Sequence, residues 1–385
     1  MFMNKKGSYV VFATFLFSGM IVFIMAAIYF SMQEAISETT ECFGRSWARS
    51  IIAEYDRELL DRYGIEAYYG DRSTVEKKLN DLIDYSYEDK GYINVSELSL
   101  ELEPYSIKNL ENFESEIKRA LLYFRYPPTN SATPRKDSPD RFILAEWIIE
   151  SLPSNTIVVD KKWKLTLDDR YIFRFFKDYV NTRDLPETYF QNEIEYIISG
   201  KLSDKKARES VKTKLSTILE AQNFGYLMTC SEKKEIILSI STLLCPENPY
   251  SLYYGLMATW ASIETSNDIK LLYDGKQVPL LKKDENWATD AWSCIFSDFK
   301  EEYISPSRIE GKNYEEYLEI LLASIPTSTK ELRMMDLIQI NMKFTYCDYF
   351  SFNDYYTGIN YSLKVNGRTH EFETNYEKQD GKLYS

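Results

Sequence analysis

Twenty-two consecutive residues without a charged side chain, 9–30 (YVVFATFLFSGMIVFIMAAIYF), constrain this chain more than any other feature. As a helix they would be roughly 30 Å long, the thickness of a bilayer's hydrocarbon core. Gly7, Ser8, Ser31 and Met32 extend the uncharged run, and nothing else in the 385 residues approaches it. Lys5 and Lys6 precede it; Glu34, Glu38 and Glu41 follow, with no base until Arg45. Basic flanks stay on the cytoplasmic side of such spans. Residues 1–8 are therefore expected to form a short cytoplasmic basic leader, 9–30 a transmembrane helix, and the remainder an extracytoplasmic part. The competing reading is a cleavable secretory signal. Its apolar region is usually about 7–15 residues, closed by a small-x-small site. This run is longer, and the residues after it offer no clean site.

Helical periodicity continues past the uncharged run. Met32, Ala35, Ile36, Thr39, Phe43, Trp47, Ile51, Ile52, Tyr55, Leu59 and Tyr63 recur at three- and four-residue steps, no proline intervenes before Pro104, and Gly64 stands where a helix C-cap belongs. This predicts one helix from Tyr9 to Tyr63, with 31–64 a stalk continuing from the membrane and 65–385 the extracytoplasmic head. The head alternates helical and strand-like stretches. TVEKKLNDLIDYSY and ENFESEIKRALLYFRY read as helices, and YINVSELSLELEPY as a strand. TNSATPRKDSPD (129–140) reads as an exposed loop and a sub-division point, and TIVVDKKWKLTL as a strand pair. NEIEYIISG closes on Gly200, Ser203 opens a long helix, and Tyr250 to Glu264, NYEEYLEILLASI and STKELRMMDLIQINMK add others. Asp274-Gly275 and Asn366-Gly367 each predict a two-residue hairpin turn. The fold class is α+β, a long N-terminal transmembrane and stalk helix before a mixed, mainly helical head with β-hairpins.

Composition removes several classes of chemistry. With 46 basic against 59 acidic residues the formal charge is −13, so no surplus of positive charge exists to replace phosphate counterions, and nucleic acid is not an expected partner. One histidine, His370, leaves no His-based metal motif, and five scattered cysteines (Cys42, Cys230, Cys245, Cys294, Cys347) form no CxxC pair. No GxSxG, GxxxxGK[ST] or GxGxxG is present. The close carboxylates Glu193/Glu195, Asp168/Asp169 and Glu315/Glu316 are the spacing a glycosidase would use, but so acidic a chain produces such pairs by chance, and solvated helix faces are expected. His370, just past the Asn-Gly turn, is expected to be an ordinary surface or edge-strand residue. The aromatic run 346–361 (YCDYFSFNDYYTGINY) reads either as strands of the head or as a tyrosine-rich contact surface. No catalytic, cofactor-binding or metal residue is expected, and no enzymatic activity.

The N-terminal KKGSYVVFATFLF resembles the leader and first helix of type IV pilin-like proteins, above all the TadE/TadG-like group of Tad pili. AEYDRELLDRYGIEAYYG, NEIEYIISGKLSD, LEAQNFGYL and YEEYLEILL…RMMDLIQINM resemble an uncharacterised family of clostridial-type bacteria that occurs beside Tad-pilus or type II secretion-like genes. The resemblance implies a basic leader (Lys5, Lys6) cut by a prepilin peptidase between Gly7 and Ser8. It departs from the pilin pattern at Phe12, where many members carry glutamate, and this fits a minor pseudopilin or uncleaved assembly component better than a main filament subunit. The implied partners are membrane lipid, other pilin-like subunits or pilus assembly proteins, and the peptidase; no cofactor is implied. The expected function is a structural component of a Tad-type pilus or type II/IV secretion-like system. The alternatives are a membrane-tethered extracytoplasmic binding or sensing module, and an anchored hydrolase of unfamiliar type.

Overall fold

A computed structural model describes residues 5–88, 90–125, 166–180, 187–292, 304–306 and 310–376. The expected loop at 129–140 lies outside the described residues, as does almost all of the strand pair expected from TIVVDKKWKLTL. The fold is α+β and opens on a long N-terminal apolar helix. The chain divides into two compact units, one of residues 1–61, 65–116 and 351–385, the other of residues 62–64 and 117–350.

The first unit is built on α1 (Lys5–Ile52), a helix whose two halves have different surfaces. Residues 9–32 are exposed apart from half-buried Ala26. From Ile36 the steps of three and four residues pick out a buried stripe: Ile36, Thr40, Gly44, Trp47, Ala48, Ile51 and Ile52. This stripe packs on a three-stranded antiparallel sheet, β2 (Val95–Glu101), β4 (Gly358–Val365) and β5 (Arg368–Asn375), in the order β2-β4-β5. Tyr361, Leu363 and Phe372 from the sheet share the core with Leu79 and Ile83 of α3 (Arg72–Tyr87). The close approach of helix to sheet needs Gly44: a Cβ there would run into the Phe372 ring, and Tyr361 donates a 2.6 Å hydrogen bond to the Gly44 carbonyl. The β4–β5 turn has φ of 48° at Asn366 and 84° at Gly367, the doubly positive geometry of a type I′ hairpin, as the sequence predicts. A two-residue pair, β1 (Tyr68–Tyr69) with β3 (Tyr355–Tyr356), completes the unit.

The continuous helix expected to Tyr63 is corrected. α1 ends at Ile52, and a separate helix, α2, covers Arg57–Tyr63. Between them Tyr55 bridges to Tyr68 in strand fashion, and Asp56 caps α2, accepting from the Leu59 amide at 3.1 Å. The Tyr355 hydroxyl donates to the other Asp56 oxygen at 2.7 Å, which holds the break in place. The stretch before the break packs as an amphipathic helix, its buried stripe forming part of the first unit's core.

The second unit is mainly helical. Its described helices are α5 (Leu167–Phe175), α6 (Glu193–Ser199), α7 (Asp204–Thr229), α8 (Ser231–Leu244), α9 (Pro249–Tyr273), α10 (Tyr314–Ala323) and α11 (Thr327–Thr345), with the later part of α4 (Leu110–Arg125). Gly200 ends α6 at φ +67°, and Ser203 precedes α7, both as expected. Every fourth residue of α7 from Ala207 to Leu227 is buried, a straight ridge suited to packing between helices. Asp274-Gly275 does not turn a hairpin. It ends α9, with the Lys276 amide donating to the Leu271 carbonyl and Gly275, at φ +71°, donating to Leu272. This is a Schellman closure, in which the positive φ that Gly supplies serves a helix end rather than two strands.

Candidate functional site: a buried acidic network

The close carboxylates sit inside the second unit, not on solvated helix faces. Asp168, Asp169, Glu193, Glu195 and Glu315 are all buried, and Glu264 and Asp268 join them. Burying a carboxylate is costly unless something replaces its water, so what each one touches decides its role.

Two groups are neutralised by lysine. In α5 the Thr166 hydroxyl and Asp169 form a capping box, and the second Asp169 oxygen accepts from Lys330 of α11 at 2.6 Å. In α9, Glu264 and Asp268 lie one turn apart and both accept from Lys282, each at 2.7 Å, with all three side chains at 2 % exposure or less. Glu264 also accepts from the amides of Ala288 and Thr289 and from the Thr289 hydroxyl, and Asp268 accepts from Asn223 of α7. Burial, opposed by Lys282, pushes the Asp268 carboxyl up to about 6. Glu316, half-buried beside Glu315, closes a capping box with Asn313 at the start of α10.

The pair on α6 differs. Glu193 accepts from the Lys177 amide at 3.0 Å and from Asn341 of α11 at 2.6 Å; the same Asn341 amide group donates to the Tyr63 hydroxyl at 3.0 Å. Glu195 accepts from the Tyr179 amide at 3.0 Å and the Tyr314 hydroxyl at 2.7 Å, both on one oxygen. Its other oxygen is buried without a partner. The amides two residues apart at Lys177 and Tyr179 thus dock on two carboxylates, while the Ile194 amide returns a bond to the Lys177 carbonyl. Burial pushes both carboxyls up to about 7. These acids pin the 177–179 segment to α6. Among the described residues no group of three or more His, Cys, Asp or Glu is placed to hold a metal ion.

The other residues singled out in the sequence fall as follows. Lys5, Lys6, Gly7 and Ser8 lie in the first turns of α1. His370 stands on an edge strand as expected, yet it is buried rather than on the surface, with Nδ1 3.2 Å from a Glu41 oxygen of α1. The contact-surface reading of 346–361 is corrected over most of its length. Tyr346 and Tyr349 are exposed, but Phe350, Phe352, Tyr355, Tyr356 and Tyr361 are buried. The second unit's buried acids had a partial signal in sequence, the T-x-x-D capping pattern at Thr166 and the N-x-x-E at Asn313.

Comparison with curated proteins and with solved structures finds no match. Residues 143–367 match a family model described as a family of unknown function, DUF5702. That span holds every carboxylate of the buried network together with Lys282 and Lys330, whereas α1 precedes it. Because the match covers more than half of the sequence, the chain belongs to the family DUF5702.

Proposed function

We propose that this chain is a single-pass membrane protein with its N-terminus in the cytoplasm. Its two folded units stand outside the membrane, as a structural or assembly component of a Tad-type pilus or type II/IV secretion-like system. One observation carries the membrane part. The apolar half of α1 is long and apolar enough to cross a membrane, and its apolar side chains are not buried within the protein. Phe15 and Phe23 are 76 % and 74 % exposed. At roughly 1.5–3 kcal/mol for each large apolar side chain, leaving this surface in water would cost on the order of tens of kcal/mol. Lipid, or the matching helices of neighbouring subunits, is the cover its composition fits.

The anchor reading is favoured over a discarded signal by continuity. The helix runs unbroken from Lys5 to Ile52, and its second half supplies core residues to the first unit. The pilus reading is supported by the leader Lys5-Lys6-Gly7-Ser8 directly before the apolar run, and by small residues at Ala13, Gly19, Ala26 and Ala27 that let neighbouring helices approach closely. The closed acidic network supports a scaffold rather than a catalyst.

Mass spectrometry of membrane-extracted protein, with cross-linking in cells, tests this. A Ser8 N-terminus that reverts to the intact leader in Gly7→Leu, together with cross-links to pilin-like or pilus-assembly proteins, is the expected result. An intact leader with such cross-links identifies an uncleaved assembly factor. An intact leader without them overturns the pilus reading in favour of a tethered binding or sensing module.

A further inference from the structure

Among the second unit's buried acids, the polar surroundings of Glu195 are the least complete. Asp169, Glu264 and Asp268 each have a lysine ammonium at 2.7 Å or closer. Glu195 is 0 % exposed, no cation pairs with it among the described residues, and one of its two oxygens has no partner. Among the described residues, three elements bring polar groups to it. The segment after α5 brings the Tyr179 amide, with Asp178 near enough to oppose ionisation of Glu195. α10 brings the Tyr314 hydroxyl. α9 brings Tyr273, whose ring lies 5.6 Å from that of Tyr314 and 5.1 Å from that of Tyr179, and whose buried hydroxyl is also without a partner. Arg208 of α7 lies over the Tyr179 ring, 4.6 Å from its centre. The neighbouring Glu193 faces Lys177, Asp204, Asn341 and, through Asn341, Tyr63.

The geometry points to Glu195 as a proton-operated latch that holds the 177–180 segment on α6. With the proton on, the carboxyl is neutral, its hydrogen-bonded oxygen still accepts from Tyr179 and Tyr314, and the free oxygen carries the proton toward the unsatisfied side of the cluster. With the proton off, a full negative charge stands in a buried, tyrosine-lined site with no paired cation among the described residues and with Asp178 close by. Two states of the same contact then differ by the cost of that charge, and the balance is paid by local opening, which brings water to the carboxylate. Burial alone already moves this carboxyl toward neutrality, which places the change between mildly acidic and mildly basic conditions.

Hydrogen exchange of the full-length protein in lipid nanodiscs, read by mass spectrometry, tests the latch. The Lys177 and Tyr179 amides donate to the two carboxylates, so peptides covering 176–180 and 193–199 report the contact directly. After correction for the intrinsic pH dependence of exchange, wild-type protection there is expected to fall by about tenfold or more between pH 5.5 and pH 8. In a Glu193→Gln background, which removes the neighbouring carboxyl's own titration, adding Glu195→Gln keeps an accepting oxygen that cannot ionise, and the fall is expected to shrink to less than about twofold, while peptides from α1 are unchanged. Should Glu195→Gln fail to fold, Glu193→Gln alone decides: a fall that keeps its midpoint near pH 7 there supports the latch, and loss of the fall refutes it. An equal pH response in Glu193→Gln with and without Glu195→Gln overturns it, as does a wild type with no response.

Discussion

Replacing Lys282 by methionine isolates the energetics of the buried network in one change. The Lys282 ammonium donates to Glu264 and Asp268 at 2.7 Å each and to the Asn286 carbonyl at 3.4 Å, with the side chain 2 % exposed. Methionine fills a similar volume, so packing changes little and the electrostatic loss dominates. What remains is two carboxylates one turn apart on α9 with hydrogen bonds but no cation. Breaking a buried ion pair from one side costs about 3–5 kcal/mol, because the partner's charge is stranded. That is a large part of the roughly 5–15 kcal/mol that holds a typical domain folded. Trp260 and Trp287 flank the network, and the Trp260 indole donates to Thr289, which itself donates to Glu264. Denaturant unfolding followed by tryptophan fluorescence therefore reads this region. Lys282→Met is expected to lose about 3–5 kcal/mol at pH 8 and distinctly less at pH 5, where the stranded Asp268 carboxylate takes up a proton. The triple variant Lys282→Met/Glu264→Gln/Asp268→Asn is expected to recover most of the loss. A loss under about 1 kcal/mol, or one equal at both pH values, would refute the reasoning.

Two further outcomes follow from the same geometry. Glu193 and Glu195 have folded-state pKa values near 7, above the ordinary 4.5, so the folded chain binds their protons more tightly than the unfolded chain. Their contribution is therefore most favourable below about pH 4.5 and is lost as pH rises through 7, by roughly 3 kcal/mol per group; a denaturant midpoint that rises from pH 5 to pH 8 would contradict this. In the first unit, Gly44→Ala puts a methyl into the Phe372 ring and is expected to cost about 1–3 kcal/mol, with partial recovery in Gly44→Ala/Phe372→Leu; thermal melting that leaves Gly44→Ala unchanged would show that helix and sheet do not approach as described.

Local signals in the sequence carried as far as local physics reaches. The Asn366-Gly367 turn, the Gly200 cap and the 9–30 run were legible because each is decided by neighbours in the chain. Asp274-Gly275 misled because a positive φ at glycine serves a helix end as readily as a hairpin, and only the residues beyond it decide. The break at 53–56 was masked by apolar residues that keep helical spacing on both sides; Asp56, three residues before Leu59, was the capping signal. Burial of the acids was beyond local reading for a different reason. Asp169 meets Lys330, Glu193 meets Asn341 and Glu195 meets Tyr314, partners more than a hundred residues away. A short-range pattern of glutamates looks the same whether water or a distant lysine completes it.

The central claim is that residues 9–30 cross a membrane with both folded units outside. A reporter active only outside the cytoplasm, fused after Ser385, measures this most directly. Full reporter activity is expected in intact cells, lost when Lys5 and Lys6 are replaced by glutamate and basic residues are placed at Glu34, Glu38 and Glu41 to invert the charge bias. An inactive exterior reporter, with a cytoplasm-active reporter lit at the same position, would contradict it.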